Sequence, residues 1–373
     1  MSATATLPAL LRPTWAEIDL GCVRANLKKL RAGLPPKCQL LFVVKANAYG
    51  HGAAELSLLS QKEKLCDRLG VSSLEEGIAL RKAGVKLPIL VLGSIYPFSA
   101  FAEALKYKLT VTIASGEAAH QLNSAAAKAG VTAACHLKVD TGMGRIGMRR
   151  PSAVKTACKI GKLENIFLEG IYTHLSAADS DPGYTKLQLK HFNDTLHDCS
   201  VLGLKTGLRH AANSYACAHW PQSIFDMVRP GLACYGLLDG FAPALSLKSR
   251  IVFLKDVRAG ATISYGRTFR ARRQLRLATL PIGYADGYSR RLSNKAEVLV
   301  RGKRCSVAGT VCMDMLVLDV TGVPGASVGD EAVLIGTQGR ETITAQEVAR
   351  WSGTIPYEVV TGLSARVPRV WAR

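Results

Sequence analysis

Residues 43–52 read VVKANAYGHG, an apolar run that ends in a lysine and passes into a turn with two glycines. The segment that leads into it, residues 39–44, is rich in large and β-branched apolar residues, which is typical of a strand buried on both faces. Gly50 and Gly52 favour a turn before the next helix. Lys45 is therefore predicted at the carboxyl end of a buried strand, where α/β folds place ligands and catalytic groups.

A lysine in this position has two explanations. Held partly out of water, it loses its preference for the charged form and becomes a better nucleophile, as Schiff-base chemistry requires. Alternatively, its apolar stem lies along the strand end and its ammonium group reaches solvent. This stretch alone leaves both explanations open.

Strand and helix patterns alternate along the first two thirds of the chain. Eight apolar runs are predicted as strands, at Leu40–Ala46, Arg68–Ser72, Ile89–Gly93, Leu109–Ile113, Cys135–Asp140, Phe167–His174, Leu208–Ala212 and Phe225–Arg229. Helices are predicted at Gly21–Ala32, Ala53–Lys62, Leu74–Ala83, Ser99–Tyr107, Gly116–Ala129, Pro151–Gly161 and Pro182–Gly203. Such alternation implies parallel strands joined by right-handed crossovers. We predict an α/β fold whose residues 1–246 form a closed (β/α)8 TIM-like barrel.

The pattern changes at Leu247. Apolar runs separated by Gly, Pro and Asp turns follow at Ser249–Leu254, Leu277–Pro281, Glu297–Val300, Met315–Val320 and Glu331–Ile335, with one helix at Thr344–Trp351. These features predict a second, mostly β domain over residues 247–373. The alternating segment at residues 14–20 is a candidate strand of that domain.

Composition narrows the function classes. The 373 residues exceed one usual core, and 48% hydrophobic with 20% charged residues is typical of a globular protein. We find no secretion signal and no apolar run approaching the roughly 20 residues that span a bilayer. The ten cysteines lack the close paired spacing of a metal site and predict reduced thiols in the cytoplasm. We therefore expect no membrane association and no metal.

The chain carries a formal net charge of +20, which raises nucleic acid as a partner. The charges are dispersed except for the cluster RARRQLR at residues 270–276. We expect no nucleic-acid partner and interpret the charge as favouring solubility and the attraction of anionic substrates and phosphates.

Four further motifs follow predicted strand ends. They are HLKVDTGMGRIG at residues 136–147, YTHLSAAD at 172–179, HAANS at 210–214 and DMVRPGL at 226–232. Arg145 at a barrel mouth could clamp a carboxylate. Helix-opening amides, a hydroxyl and a glycine after strands seven and eight could cradle a phosphate. Taken singly, each motif is also explained by a solvated turn, a structural histidine or a helix N-cap.

The predicted β domain carries four more motifs, ISYGRTF at residues 263–269, IGYADGY at 282–288, GTVCMD at 309–314 and IPYE at 355–358. A tyrosine in a β turn is usually a half-buried packing residue. As a base it would need stabilising neighbours, because phenol titrates near pH ~10.

Together, these motifs resemble those of the alanine racemases, in the same order and over nearly the whole chain from Thr14 to Arg369. The resemblance implies a pyridoxal 5'-phosphate (PLP) enzyme that interconverts L- and D-alanine. It also implies a homodimer in which each active site borrows β-domain residues from the partner. Its expected role is the supply of D-alanine for peptidoglycan.

The resemblance further implies roles for individual residues. Lys45 would bind PLP covalently and act as the base for D-alanine, and Tyr265 of the partner subunit would act as the base for L-alanine. Contacts to PLP are implied for Lys45, Tyr49, His174, Asn213, Ser214, Arg229, Gly231, Leu232 and Tyr357. Substrate contacts are implied for Arg145, Met313, Asp314 and Tyr284. Lys138 matches a lysine that is carbamylated in many members.

Two points of this resemblance bear on the chemistry. If Arg229 faces the pyridine nitrogen, it donates a hydrogen bond without protonating the ring, because arginine keeps its proton. Thr310 departs from the arginine or lysine that often occupies its position in the family.

Other functions remain open at this stage. A broad-specificity or serine racemase of the same family differs only in pocket volume, which sequence does not show. A related decarboxylase would carry acidic substrate motifs, and a non-catalytic PLP-binding barrel would lack the β domain and Tyr265. A nucleic-acid-binding protein is the non-enzymatic alternative.

Overall fold

The computed structural model describes residues 10–372, which divide into two compact units. One unit contains residues 10–23, Tyr49–His51 and residues 242–372. The other contains Arg24–Ala48 and Gly52–Phe241. The predicted domain boundary between residues 246 and 247 lies within the strand Leu245–Arg250 and remains a prediction.

The unit from Arg24 to Phe241 is built from parallel strands that alternate with helices. Its strands are Gln39–Val43, Arg68–Val71, Ile89–Val91, Thr110–Ile113, Ala133–Lys138, Ile166–Tyr172, Leu208–His210 and Met227–Val228. Its helices are Ala53–Lys62, Leu74–Lys82, Phe101–Lys106, Gly116–Ala129, Arg150–Ile160, Pro182–Val201 and Ser214–His219, and the helix Leu20–Ala32 belongs to it from Arg24 onward.

These eight strands nearly close on themselves. The first strand, Gln39–Val43, pairs with the second on one side and with the eighth on the other. The seventh and eighth strands are linked by backbone hydrogen bonds from Asp226 to Arg209 and from Arg229 to Ala212, both 3.0 Å long. The predicted (β/α)8 barrel is confirmed.

Side chains fill the barrel. Leu40, Leu41 and Phe42 are fully buried, as the apolar run on both faces of the first strand predicts. Burial of each such side chain contributes about 1.5–3 kcal/mol to stability. Tyr172, at the end of the sixth strand, is fully buried and its hydroxyl lies 2.8 Å from that of Thr112. Because the strands are parallel, the residues that follow them meet at one rim.

The other unit is rich in strands. A seven-stranded sheet contains Thr14–Asp19, Leu245–Arg250, Glu297–Val300, Lys303–Ser306, Glu331–Gln338, Glu341–Ile343 and Arg369–Ala372. Smaller sheets contain Phe253–Val257, Leu275–Leu280 and Leu316–Asp319, and Thr262–Ile263 with Phe269–Arg270. The helices Ala345–Ser352 and Pro356–Thr361 complete it. The prediction of a mostly β C-terminal domain is confirmed.

One predicted strand of this unit was wrong, and one helix was not predicted. The single strand at Ser249–Leu254 is two strands, Leu245–Arg250 and Phe253–Val257, because the chain leaves one sheet and enters another between them. A second helix, Pro356–Thr361, was missed because six residues are too few to show a helical period.

Across residues 10–372, no helix combines the length and the apolar character needed to cross a bilayer.

Candidate active site

The turn that follows the first barrel strand is left-handed. Lys45–Tyr49 forms one helical turn in which Ala46, Asn47, Ala48 and Tyr49 have φ between 51 and 54°. Left-handed backbone costs roughly 1–2 kcal/mol for each residue with a Cβ, so the surrounding structure must hold it. The sequence predicted a turn here but not its hand, because only Asn among these residues favours this conformation.

Polar contacts support this turn from several directions. The backbone N–H of Ala46 donates to the carboxylate of Glu76 at 2.7 Å. Asn47 accepts from Gly52 with its backbone carbonyl at 3.0 Å and from Ala53 with its side-chain oxygen at 2.9 Å. These bonds satisfy backbone amides at the start of the turn and just after it, and they fix the chain on the C-terminal side of Lys45.

The amine of Lys45 lies in an environment that disfavours its charge. Burial lowers its pKa first, and the positive charge of Arg145 lowers it further, while Glu76 opposes the shift. A lysine with a lowered pKa is deprotonated more readily and is therefore a better nucleophile and base.

Cationic side chains gather at the barrel rim. Lys138 is only 4% exposed, and its amine lies 4.0 Å from the ring centroid of Tyr172. Burial and then the charges of Arg229 and Arg145 lower the pKa of Lys138 well below its usual value. Burial, followed by the charge of Arg229, also lowers the pKa of His174 well below its usual value, so this imidazole is neutral. A site with this donor set suits an anion.

The loop that carries Arg145 is held by its own glycines. The carboxylate of Asp140 accepts from the backbone amides of Gly142 and Gly144 at 3.0 Å each. Burial acts to raise the pKa of Asp140, but these amides outweigh it and lower the pKa. Gly147 has φ +119°, and a Cβ there would lie 2.9 Å from the Lys138 side chain. A side chain at Gly147 would therefore collide with Lys138.

Arg229 is buried and donates hydrogen bonds from both of its terminal nitrogens. It donates to Nδ1 of His210 and to the backbone oxygen of Thr173 at 2.8 Å each, and to the backbone oxygen of Ala211 at 3.0 Å. Its second terminal nitrogen also lies 3.5 Å from Nδ1 of His174. Burial lowers the pKa of Arg229 to about 10, so it keeps its proton at neutral pH.

The predicted phosphate-binding residues cluster after strands seven and eight. The hydroxyl of Ser214 accepts from the backbone amides of Gly231 at 2.8 Å and Ala233 at 3.2 Å. Asn213 caps the short helix Ser214–His219 through Ala216 at 3.0 Å, and Leu232 opens the 3-10 turn Leu232–Tyr235. Gly231 and Leu232 therefore lie beside Ser214.

In the strand-rich unit, three loops carrying predicted site residues are joined by hydrogen bonds. The hydroxyl of Thr310 donates to the backbone oxygen of Tyr265 at 2.8 Å. The amide of Tyr284 donates to the backbone oxygen of Cys312 at 3.0 Å. The amide of Ala285 donates to the backbone oxygen of Met313, also at 3.0 Å. Tyr265 is 71% exposed. Thr310 therefore supports the backbone of the tyrosine turn.

The remaining predicted residues lie in the same unit. Asp314 accepts a hydrogen bond from Arg366 at 2.7 Å. Tyr357 belongs to the helix Pro356–Thr361, against which Gly50 packs so closely that a Cβ on it would lie 2.2 Å from the backbone oxygen of Val360. Tyr49, which precedes that glycine, is thus attached to the element that carries Tyr357.

Sequence reasoning missed four residues around Arg229. They are His136, Glu169, Tyr172 and His210. His136 and His210 lie within strands and are fully buried, which is an uncommon location for a polar side chain. That combination is the signal by which they could have been found.

Comparison with known proteins identifies the family. The family model described as alanine racemase, N-terminal domain, matches residues 18–239, and the model described as alanine racemase, C-terminal domain, matches residues 244–371. The chain belongs to the alanine racemase family. As a member of this family it is an isomerase, an amino-acid racemase.

Several named relatives match over nearly their full length. The alanine racemase of Symbiobacterium thermophilum is 45% identical over 371 residues, covering 97% of each chain. That of Halothermothrix orenii is 44% identical and covers 96% of this chain and 97% of its own. Among solved structures, alanine racemase of Clostridium difficile 630 has a TM-score of 0.93 at 38% identity, covering 97% of this chain and 96% of its own. That of Bacillus anthracis with bound L-Ala-P has a TM-score of 0.92 at 35% identity, covering 98% and 96%.

Proposed function

We propose that the protein interconverts L-alanine and D-alanine with PLP as cofactor, using Lys45 and Tyr265 of the partner subunit as its two bases. The observation that carries the proposal is the half-buried lysine that follows the first barrel strand, whose pKa is lowered by burial and then by the charge of Arg145. Membership of the alanine racemase family supports the substrate.

The residues at the barrel rim fit PLP. An amine with a lowered pKa suits a covalent bond to an aldehyde, and a surplus of cations suits a phosphate and a carboxylate. We propose that the cofactor is held by Lys45, Tyr49, His174, Asn213, Ser214, Arg229, Gly231, Leu232 and Tyr357. When bound, PLP supplies an electron-withdrawing ring system that acidifies the α-proton of the amino acid.

The side chains of this protein then bind the substrate and move the proton. Arg145 and the backbone of Met313 hold the alanine carboxylate, with Tyr284 and Asp314 at the edge of the site. Lys45 removes the α-proton of D-alanine and returns a proton in the opposite direction. Tyr265 does the same on the other face for L-alanine. Two bases on opposite faces are needed because racemisation must deliver the proton to the side from which it was not removed.

The exposure of Tyr265 supports its assignment to a partner's site. In the single chain 71% of its surface is accessible, which leaves the phenol available to a second subunit. We therefore propose a homodimer with two shared active sites.

Lys138 is proposed to be carbamylated. Its lowered pKa favours the neutral amine, which is the form that reacts with carbon dioxide. The product carries a negative charge that would offset the neighbouring Arg229 and Arg145. The proposed biological setting is the cytoplasm, where the enzyme supplies D-alanine for peptidoglycan.

A complementation experiment tests the reaction, both bases and the shared site together. The Lys45→Ala and Tyr265→Ala proteins are purified separately, mixed, unfolded and refolded with PLP, and given L-alanine, and D-alanine is measured by chiral chromatography. Each variant alone is expected to be nearly inactive in this direction. Random pairing makes about half of the dimers mixed, and one of the two sites in each mixed dimer has both bases intact. About a quarter of wild-type activity should therefore return.

The control is each variant carried through the same procedure alone, with wild-type enzyme as the reference for recovery. No activity in the mixture, with wild-type enzyme recovering normally, would mean that Tyr265 does not act across the dimer. Full activity of Tyr265→Ala would contradict the two-base mechanism. A wild-type enzyme that racemises serine faster than alanine would redirect the proposal to a broader racemase.

A further inference from the structure

Buried side chains form a continuous hydrogen-bonded chain away from Arg229. Its terminal nitrogen lies 2.8 Å from Nδ1 of His210, whose Nε2 lies 2.8 Å from Nδ1 of His136. The Nε2 atom of His136 then lies 3.1 Å from a carboxylate oxygen of Glu169. Both imidazoles are fully buried. We refer to these four side chains as the Arg229–Glu169 chain.

The chemistry of its end groups sets the direction of every hydrogen bond. A guanidinium group can only donate, so Nδ1 of His210 must accept and its proton lies on Nε2. That nitrogen donates to Nδ1 of His136, which places the second imidazole's proton on its own Nε2. This proton points to Glu169, which accepts as a carboxylate. In each of the three hydrogen bonds, the donor is therefore the group nearer to Arg229 and the acceptor is the group nearer to Glu169.

The far end of the chain is anchored by a second arginine. Arg68 donates to both oxygens of Glu169 at 2.9 Å each. Burial acts to raise the pKa of Glu169, but the hydrogen bonds from His136 and Arg68 outweigh it and lower the pKa to about 2. The carboxylate thus remains an acceptor throughout the neutral pH range.

The surroundings hold the two rings in place, and burial opposes the protonation of both. Tyr172 stacks on His210 with ring centroids 4.6 Å apart and 5° between the planes, and it meets the His136 ring edge-on at 6.4 Å. Burial, followed by the positive charge of Arg229, lowers the pKa of His210 well below its usual value. Lys138 and Arg68 add to this positive environment.

We propose that the Arg229–Glu169 chain fixes both histidines in the neutral Nε2–H tautomer and makes His136 and Glu169 positioning residues for the guanidinium of Arg229. Its bearing on catalysis rests on the proposed function, in which Arg229 contacts the cofactor ring. Since each ring must accept on one side and donate on the other, Arg229 cannot turn or lose its proton without rearranging the whole chain.

The tautomers can be observed directly by NMR. Enzyme labelled with 15N-histidine is studied with its cofactor bound near pH 7, using long-range proton–nitrogen correlations of the imidazole rings, with signals assigned through single histidine replacements. Both buried rings are expected to be neutral and to carry the proton on Nε2. An Nδ1–H tautomer or a charged ring at either His136 or His210 would overturn the proposal.

Replacement of the anchor tests whether the chain acts on Arg229. In Glu169→Gln, the amide N–H group faces a donor, either Nε2 of His136 or a nitrogen of Arg68. The His136 ring signals should shift, and kcat should fall about tenfold, the equivalent of one hydrogen bond to a charged group. KM for alanine should change little, since Arg145 on a separate loop is proposed to bind the carboxylate.

A matched control is available on the neighbouring strand. Arg209 and Asp226 form a similar two-point ion pair, with bonds of 2.7 and 2.9 Å, outside the chain. Asp226→Asn should leave the signals of both buried histidines and kcat unchanged. If Glu169→Gln does not fold, Arg68→Lys replaces it, and its effect on kcat should be smaller and in the same direction.

Unchanged ring signals and unchanged kcat in folded Glu169→Gln would refute the positioning role. Failure of this positioning role can be distinguished from failure of the proposed function. A protein that does not racemise alanine would contradict the function, whereas the tautomers of His136 and His210 would still be decided by their ring spectra.

Discussion

Arg12 donates two hydrogen bonds, 2.8 and 2.7 Å long, to the carboxylate of Asp286, 274 positions away in the chain. The Asp286 side chain is fully buried, and it also accepts from the backbone amide of Gly283 at 3.0 Å. The pair therefore connects the start of the described chain to the turn that carries Tyr284.

Asp286→Ala is expected to destabilise the protein by roughly 3 kcal/mol, because it removes the buried carboxylate that pairs with Arg12 and the acceptor of a buried amide. Urea unfolding measures this loss. Glu103→Ala, which removes an exposed ion pair with Lys106, is the control and should change the unfolding free energy by less than about 0.5 kcal/mol. Equal losses in the two variants would show that burial of Asp286 has no special effect.

Lys45→Ala should abolish the visible absorbance of the bound cofactor and the racemase activity together, because no other amine is expected to take its place. Lys45→Arg keeps the positive charge but not the nucleophile, so it should behave in the same way. Borohydride reduction of the wild-type enzyme followed by peptide mass analysis should find the cofactor attached to Lys45. Attachment at another lysine would contradict the assignment.

Gly50→Ala should weaken PLP binding at least tenfold, because its Cβ would collide with the backbone oxygen of Val360 and displace the helix that carries Tyr357. The control is Gly84→Ala, at a similarly positive φ of +95° but with nothing within 4 Å of the added Cβ. Gly84→Ala introduces the same kind of backbone strain without a collision, so the difference between the two variants measures the effect of the collision. PLP titration followed by absorbance compares the two, and equal affinities would refute the steric argument.

Much of the barrel could be predicted because burial imposes a repeating pattern on the sequence. The predicted helices Ala53–Lys62 and Gly116–Ala129 match the structure end to end, and each predicted barrel strand overlaps an observed one. The division of Ser249–Leu254 between two sheets could not be predicted, because a chain that changes sheets keeps its apolar character.

The candidate site, too, could be predicted only in part from the sequence. Motifs at strand ends indicated Lys45, Arg145 and Arg229, since barrel topology alone brings strand ends together. The left-handed turn after Lys45 depends on tertiary contacts such as that with Glu76, which no local pattern encodes. The Arg229–Glu169 chain likewise joins residues from separate strands, so its polar members looked like ordinary exceptions in apolar runs.

Buried histidines should make the protein less stable in mild acid. Burial, and then the charges around them, lower the pKa values of His174 and His210 well below the ~6.5 of the unfolded chain. Above that pH both states are neutral and stability is unaffected. As pH falls below it, the unfolded chain binds protons that the folded protein does not, so the unfolding free energy decreases by up to about 1.4 kcal/mol per pH unit for each histidine.

Urea unfolding between pH 7 and pH 5 measures this slope, and this window lies above the range in which carboxylates with lowered pKa values begin to lose their contribution. His174→Asn should reduce the slope by the contribution of about one proton taken up on unfolding, because it removes one group that becomes charged only in the unfolded chain. His120→Gln, at an exposed position, is the control for the loss of a histidine outside the buried site. A wild-type unfolding free energy that is constant or rises toward pH 5 would mean that these imidazoles accept protons in the folded state, which the cationic surroundings of His174 argue against.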